Sequence, residues 1–169
     1  NRGDYETTGA NAYAEKLRLL FDRPQRQDAR LTIGIPRCLN LYEEYPFWHT
    51  LLYNCGIRAV LSDASNMAAY ERSVRRGMSD NICFPAKLVH SHIDDLVDKG
   101  VDRILIPYVV HEQSDGKRAV NSYNCPIVTG YSDVVRSVET LPVPLDTPTI
   151  SFKDEKRLYR QCLDYLSAL

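Results

Sequence analysis

The sequence predicts an α/β fold in three layers: a mostly parallel, Rossmann-like sheet of about four or five strands with helices on both faces. Short apolar runs, typical of buried strands, recur along the chain. Segments with helical spacing alternate with these runs, which is typical of a parallel sheet covered by helices. Glycines end three of the predicted helices, at Gly56, Gly77 and Gly100.

The first half of the chain divides into a lead-in and the start of a compact domain. We expect residues 1–30 to be an N-terminal helix and linker, and residues 31–169 to be a single α/β domain. The predicted elements are, in order, a helix at 11–21, a polar linker at 23–28, a strand at 31–36, a helix at 45–55 with Pro46 in its first turn, a strand at 58–62 and a helix at 66–76.

The second half continues the alternation. Its predicted elements are a helix at 85–99, a strand at 103–107, a strand at 125–128, a short helix at 132–138, a fifth strand at 149–152 and a closing helix at 154–169. The closing helix carries one apolar stripe, made of Leu158, Cys162, Tyr165 and Leu166. In such a sheet, ligands bind beyond the carboxyl ends of the strands.

Composition excludes several classes of function. The 169 residues carry a formal charge of −1, so no bulk field favours nucleic acid or a membrane surface. No apolar run approaches the roughly 20 residues of a spanning helix. Five cysteines without a disulfide-type spacing indicate a reducing, cytoplasmic setting. Because the chain begins without methionine, we expect it to be a fragment of a longer multidomain protein.

Cofactor motifs with a fixed spacing are missing from the sequence. There is no C-x-x-C pair, which argues against a zinc ribbon or a thioredoxin-type site. There is also no G-x-G-x-x-G and no Walker sequence, so we predict no nucleotide site.

Two cysteines beside prolines carry the most information. Cys83 lies two residues before Pro85, and proline favours the first turn of a helix. The positive end of the helix dipole favours a thiolate there, and Lys87 one turn later adds to the effect. Cys83 is therefore a candidate metal or iron–sulfur ligand. The alternative is a small apolar side chain packed beneath the edge of the sheet.

Cys125 opens the strand predicted at 125–128, where Pro126 limits its backbone. It is either a second ligand or a buried strand cysteine. Between the two cysteines, Pro107 and Tyr108 mark the end of the third strand. The other cysteines, Cys38, Cys55 and Cys162, are predicted to lie in the core.

The histidines and aromatic residues give weaker signals. His90 and His92 share a helix but point to different sides, so they cannot form a two-histidine metal face. Each is predicted to be solvated or locally hydrogen-bonded. The pair at 111–112 is predicted to be a loop without a role. Phe47 and Trp48 are predicted to anchor a helix in the core, and an aromatic lid over a site is the alternative.

At these motifs the chain resembles a known family. The segments are 33–37 (IGIPR), 39–40 (LN), 42–48 (YEEYPFW), 83–90 (CFPAKLVH) and 124–128 (NCPIV). They resemble a domain of proteins related to 2-hydroxyacyl-CoA dehydratase activators, the CoA-substrate-specific enzyme activases of DUF2229 type. The resemblance extends over residues 31–138. It implies a cytoplasmic, multidomain protein of anaerobic bacteria that also contains activase-type ATPase domains.

The resemblance also implies a chemistry. Activators of this kind use ATP hydrolysis to pass a low-potential electron from an iron–sulfur cluster to a dehydratase, whose subunits bind a 4Fe–4S cluster through cysteines at strand ends. By this analogy Cys83 and Cys125 are the cluster ligands, while Tyr108 and Lys87 line the same edge. Dehydratase-like subunits and the ATPase domains of the same polypeptide are the expected partners.

The chain departs from the family pattern at the third strand, where Tyr108 stands in place of a cysteine. A 4Fe–4S cluster takes about four ligands, so Cys83 and Cys125 leave the set incomplete unless Tyr108, His111, another chain or a substrate completes it. The leading hypothesis is an electron-relay module. The alternatives are a docking or scaffold domain that has lost the cluster and, with less support, a free-standing acyl-CoA enzyme.

Overall fold

A four-stranded parallel sheet forms the centre of the molecule, as the sequence predicts. The computed structural model describes residues 9–73, 81–114, 116, 121–138 and 140–169. The sheet has the order β2-β1-β3-β5, with the strands β1 (Thr32–Ile35), β2 (Arg58–Leu61), β3 (Arg103–Leu105) and β5 (Leu145–Asp146). Every adjacent pair in it is parallel. Each strand is short, and the apolar runs of the sequence account for β1, β2 and β3.

The third strand, β3, ends at Leu105, close to the predicted end at Pro107, but Tyr108 begins a further strand that the sequence did not predict. This strand, β4 (Tyr108–His111), pairs in parallel with β6 (Thr149–Ser151) in a separate two-stranded sheet. The Ile106 N–H donates to the Asp146 carbonyl at 2.9 Å, and the Tyr108 N–H donates to the Pro148 carbonyl at 2.9 Å. Proline interrupts the regular pattern because it has no N–H, but the next residue resumes the pairing.

One face of the sheet, here called the first face, is covered by α1 (Ala12–Phe21), α2 (Leu41–Asn54) and α7 (Glu155–Ser167). Its core includes Ile33, Ile35, Leu41, Tyr45, Trp48, Leu52, Leu105, Val109, Ile150, Cys162 and Tyr165. The lead-in helix packs against this face, since the Phe21 ring meets the Tyr42 ring edge-on at 4.8 Å. Trp48 is fully buried, which confirms its role as a packing anchor.

Helix α2 begins four residues before the predicted start. The sequence prediction placed Pro46 in the first turn, but it is the sixth residue of the helix. Two acidic residues, Glu43 and Glu44, occupy the actual first turn, where they favour the helix dipole.

The opposite face, here called the second face, is covered by α3 (Met67–Ser73), α4 (Phe84–Lys87), α5 (Val89–Asp98) and α6 (Pro126–Val138). Its core includes Cys38, Ala86, Val89, Ile93, Leu96, Val101, Ile104, Ile106, Tyr131 and Val135. The helix predicted at 85–99 is divided at Leu88 into α4 and α5. Residues 74–76 of the helix predicted at 66–76, and its stop Gly77, lie outside the described residues.

The segment 125–128, predicted to be a strand, is the start of α6. Pro126 is the first residue of that helix, a position that suits proline because its missing N–H would be unpaired in any case. Four apolar residues in a row do not distinguish a buried strand from a helix. The fourth strand of the sheet is instead β5, a two-residue strand in a segment with a proline on either side. The sequence prediction missed this strand.

The five free cysteines are divided between core and surface. Cys38 and Cys162 are buried, as predicted. Cys55 is exposed, which contradicts the prediction: it caps the end of α2 beyond the buried stripe of that helix. Among the described residues, no helix combines the length and apolar character needed to cross a membrane.

Candidate functional site

Cys83 and Cys125 occupy equivalent positions on two helices. Cys83 is the residue before α4, whose second residue is Pro85. Cys125 is the residue before α6, whose first residue is Pro126. The Cys83 carbonyl accepts from the Ala86 N–H at 3.1 Å, and the Cys125 carbonyl accepts from the Thr129 N–H at 3.0 Å. Both cysteines therefore stand at the positive end of a first helical turn.

The two helices are neighbours on the second face. Helix α4 packs against α6, and their buried residues Ala86 and Tyr131 belong to one core cluster. Helix α6 packs against β4, where the Thr129 hydroxyl donates to the Val109 carbonyl at 2.8 Å. Helices α4 and α5 run back toward the start of β3. Both cysteines thus lie in one layer at the edge formed by the carboxyl ends of the strands, here called the carboxyl edge.

Large apolar side chains are exposed next to both cysteines. Phe84 follows Cys83 and is 52% exposed, while Tyr123 and Ile127 flank Cys125 and are 68% and 40% exposed. Both cysteines are also exposed. We call these five residues the cysteine rim. Exposed apolar residues at one edge of a fold are typical of a surface that another molecule covers.

The other two predicted site residues lie close to this edge but differ in setting. Lys87 ends α4 one turn after Cys83 and is half-buried. Tyr108 lies at the start of β4, three residues before the strand ends at His111. Because side chains alternate along a strand, Tyr108 is on the same face as Ile106, the second face, and Val109 is on the first. His111 stacks against Tyr123, with ring centroids 4.3 Å apart.

A pair of glutamates at the carboxyl edge was missed by the sequence analysis. Glu44, in the first turn of α2, accepts from the Asn40 amide at 2.6 Å and from the Trp48 indole at 3.0 Å. Its carboxyl group is also hydrogen-bonded to that of Glu112, which follows β4. Glu112 accepts from the Asn124 amide at 2.8 Å. Glu112 was predicted to lie in a loop without a role, but here it links two elements.

Two carboxyl groups can share a hydrogen bond only when one of them holds a proton. Burial and the neighbouring Glu112 raise the pKa of Glu44, the Trp48 and Asn40 donors lower it, and the net result is a pKa of about 7. Burial also raises the pKa of Glu112. The pair therefore binds a proton near neutral pH. Asn124 connects it to the rim, because its side-chain oxygen accepts from the Cys125 N–H at 2.8 Å.

Both histidines of α5 are buried, and neither is solvated. His90 is 0% exposed, and its Nε2 lies 3.4 Å from the Tyr131 hydroxyl. His92 lies between two serine hydroxyls, 2.8 Å from Ser62 and 2.9 Å from Ser65. Burial lowers the pKa of His92 to about 4, so the ring is neutral at physiological pH. The two rings point to different neighbours, as the helical spacing predicts.

The described part of the chain contains no group of three or more histidine, cysteine, aspartate or glutamate residues placed to hold one metal ion. The cysteine rim accordingly offers two thiols and not a complete ligand set.

A family model described as the CoA enzyme activase uncharacterised domain (DUF2229) matches residues 32–169. The match covers most of the chain, so the chain belongs to this family, in agreement with the resemblance found in its motifs. Neither the curated proteins nor the solved structures give a significant match. The family establishes a domain related to CoA enzyme activases.

Proposed function

We propose that this domain supplies two thiolate ligands, from Cys83 and Cys125, to an iron–sulfur cluster that it shares with a partner. The observation that carries the proposal is the matched position of these two cysteines. Both are exposed, and both precede the first turn of neighbouring helices in one layer. Cysteine sulfur is the ligand type that iron–sulfur clusters use most often.

The residues present fit part of a cluster site. Cysteine thiolates are the usual ligands of iron–sulfur clusters, and a 4Fe–4S cluster takes four of them. Two come from this chain, and the other two ligands must come from outside the described residues. When bound, a cluster supplies one-electron transfer. The chain's own contribution is to hold two sulfurs at one edge, with Lys87 one turn after Cys83 at the end of α4.

The exposed apolar residues of the cysteine rim support a shared site. Phe84, Tyr123 and Ile127 would be covered when a partner docks, which would exclude water from the cluster. The partners that we propose are the ATPase domains of the same polypeptide and dehydratase-like subunits. In this view residues 31–169 are one cytoplasmic module of a longer protein, and residues 1–30 are its lead-in.

Anaerobic reconstitution with iron and sulfide tests the proposal. We expect the chain to take up iron and acid-labile sulfide with visible charge-transfer absorption, at less than one cluster per chain because it supplies half of the ligands. The variants Cys83→Ser and Cys125→Ser should each lose the absorption. Cys55→Ser is the matched control, since Cys55 is also exposed but ends α2. Iron uptake that survives the double variant, or no uptake by the wild type, would refute the proposal.

A docking domain without a cluster is the second candidate. It is favoured by the lack of a complete metal-ligand group among the described residues. In that case the chain stays colourless, and a neighbouring ATPase domain still protects both rim thiols from alkylation. Phe84→Ser combined with Tyr123→Ser should then abolish the protection, while Tyr159→Ser, an exposed residue of α7, should not.

A further inference from the structure

A cavity of about 310 Å³ lies beside the carboxyl end of β1. Its polar lining residues are Arg37, Glu43 and Ser65, and its apolar wall includes Leu39, Tyr42 and Leu88. In open parallel sheets this is the side of the molecule where ligands bind. We propose that the cavity binds the oxyanion group, carboxylate or phosphate, of a small molecule. The inference goes beyond the cluster proposal and does not rest on it.

Arg37 has no ion-pair partner among the carboxylates that the structure describes. Its guanidinium group lies 3.9 Å from the Phe21 ring centroid and 5.6 Å from that of Tyr42. Its Nε is buried and has no hydrogen-bond partner among the described residues. Stacking on aromatic rings holds the guanidinium in place. A planar set of donors held in this way suits a carboxylate or a phosphate.

A chain of hydrogen bonds brings a second donor to the same cavity. The Ser62 hydroxyl oxygen accepts from the Arg37 backbone N–H at 2.7 Å, and Ser62 is 2% exposed. Its own proton therefore needs a buried acceptor, and the Nδ1 of His92 at 2.8 Å is that acceptor.

The position of the proton on His92 then determines the direction of the remaining hydrogen bonds. A neutral ring that accepts at Nδ1 carries its proton on Nε2, and this N–H donates to the Ser65 hydroxyl at 2.9 Å. The Ser65 hydroxyl proton is left to point elsewhere, and Ser65 lines the cavity. If His92 instead carried its proton on Nδ1, the buried Ser62 proton would have no acceptor, which would cost free energy. The cavity thus receives two donors, Arg37 and Ser65.

The carboxylates near the cavity have cationic partners. Glu43 lines the cavity, and its carboxylate pairs with Lys16 at 2.5 Å. Asp63 and Asp95 share Lys99, each at 2.7 Å, so these three groups keep a net charge of −1. Asp63 also interacts electrostatically with Arg37, but neither aspartate lines the cavity, so an anion inside it would meet Arg37 and only the paired carboxylate of Glu43.

The loop that shapes the cavity is strained. Leu39 has a φ of 50°, in the left-handed region that is unfavourable for leucine. Backbone outliers of this kind cluster at ligand sites, where the surrounding structure holds them. Leu39 and Leu88 give the cavity an apolar wall, so the ligand that fits best is an oxyanion attached to a short apolar body.

Nitrogen-15 NMR of the whole chain, titrated separately with inorganic phosphate and with butanoate, tests the proposal. We expect one of these anions to give saturable shifts centred on Arg37 and Ser65, and the one that binds more tightly identifies the oxyanion class. Arg37→Gln should weaken binding about tenfold or more, and Ser65→Ala should weaken it less. Arg157→Gln, an exposed arginine of α7, is the control and should bind like the wild type.

Several results would overturn the inference. These are no saturable shift with either anion, equal binding by Arg37→Gln, or a His92 imidazole spectrum showing the proton on Nδ1. If Arg37→Gln fails to fold, Ser65→Ala and the His92 spectrum decide the matter. Because Arg37 is not a cluster ligand here, Arg37→Gln should take up iron like the wild type, which separates this test from that of the cysteine rim.

Discussion

The two faces of the sheet are packed with different types of side chain. The first face is packed with large aromatic residues, among them the fully buried Trp48 and Tyr45. The second face is packed mainly with aliphatic residues and contains the two buried histidines of α5. The cysteine rim and Ser65 belong to the helices and loops of the second face. From this comparison we expect the first face to contribute more to stability, while the proposed cluster ligands belong to the second face.

Removing the largest anchor of the first face should have the largest effect. Trp48→Ala deletes a fully buried indole and the donor to Glu44. We expect it to lower the free energy of unfolding by about 3–5 kcal/mol, measured by urea denaturation. Tyr159→Ala on α7 is the control, and because Tyr159 is 69% exposed its effect should stay within about 0.5 kcal/mol. If Trp48→Ala and Tyr159→Ala lost the same free energy of unfolding, the aromatic core of the first face would not be the main source of stability.

Overpacking the second face should have a smaller effect. A Cβ atom at Gly34 would lie 3.1 Å from side-chain atoms of Leu96 and of Val101, so α5 approaches β1 closely there. Gly34→Val adds two further methyl groups to this contact and should cost about 1–3 kcal/mol in the same assay. Gly130→Ala is the opposite control, because nothing lies within 4 Å of its added Cβ in α6, and it should stabilise slightly. A neutral Gly34→Val would show that the second face is loosely packed.

The sequence predicts those parts of the fold that depend on local pattern. Pro85 correctly places Cys83 at a helix start, because proline suits the first turn. Proline at position 126 was interpreted as part of a strand, because the apolar run 125–128 is compatible with either a strand or a helix. The buried residues Tyr131 and Val135, four positions apart, continue the helical pattern beyond that run. The helical spacing in 127–138 was the available signal.

The parts of the site that depend on tertiary contacts could not be predicted. Glu44 and Glu112 are far apart in sequence, and their pairing depends on α2 and β4 meeting at one edge. The orientation of His92 likewise depends on Ser62, which lies in a different element. The strand β4 that follows Pro107 was not predicted, because its partner, β6, comes some forty residues later.

The glutamate pair joins the two faces, and its proton gives the smallest of the three expected effects. Because the folded chain raises the pKa of Glu44 from 4.5 to about 7, the folded state binds this proton more tightly than the unfolded state does. The pair therefore stabilises the fold below about pH 4.5, and this stabilisation is lost as the pH rises through about 7. In Glu112→Gln the amide can donate to an ionised Glu44 and the charge repulsion is removed, but Glu44 stays buried, so this pH dependence should become smaller without disappearing.

Urea denaturation at several pH values between 5 and 8 measures the difference. We expect the wild type to lose roughly 0.5–1 kcal/mol more than Glu112→Gln over this range, since one pKa unit corresponds to about 1.4 kcal/mol. Glu43→Gln is the matched control: Glu43 is adjacent in sequence but is exposed and paired with Lys16, so it should keep the wild-type slope. A slope in Glu112→Gln as steep as in the wild type would mean that the two carboxyl groups do not share a proton. At this point the first face and the second face would then be joined by packing alone.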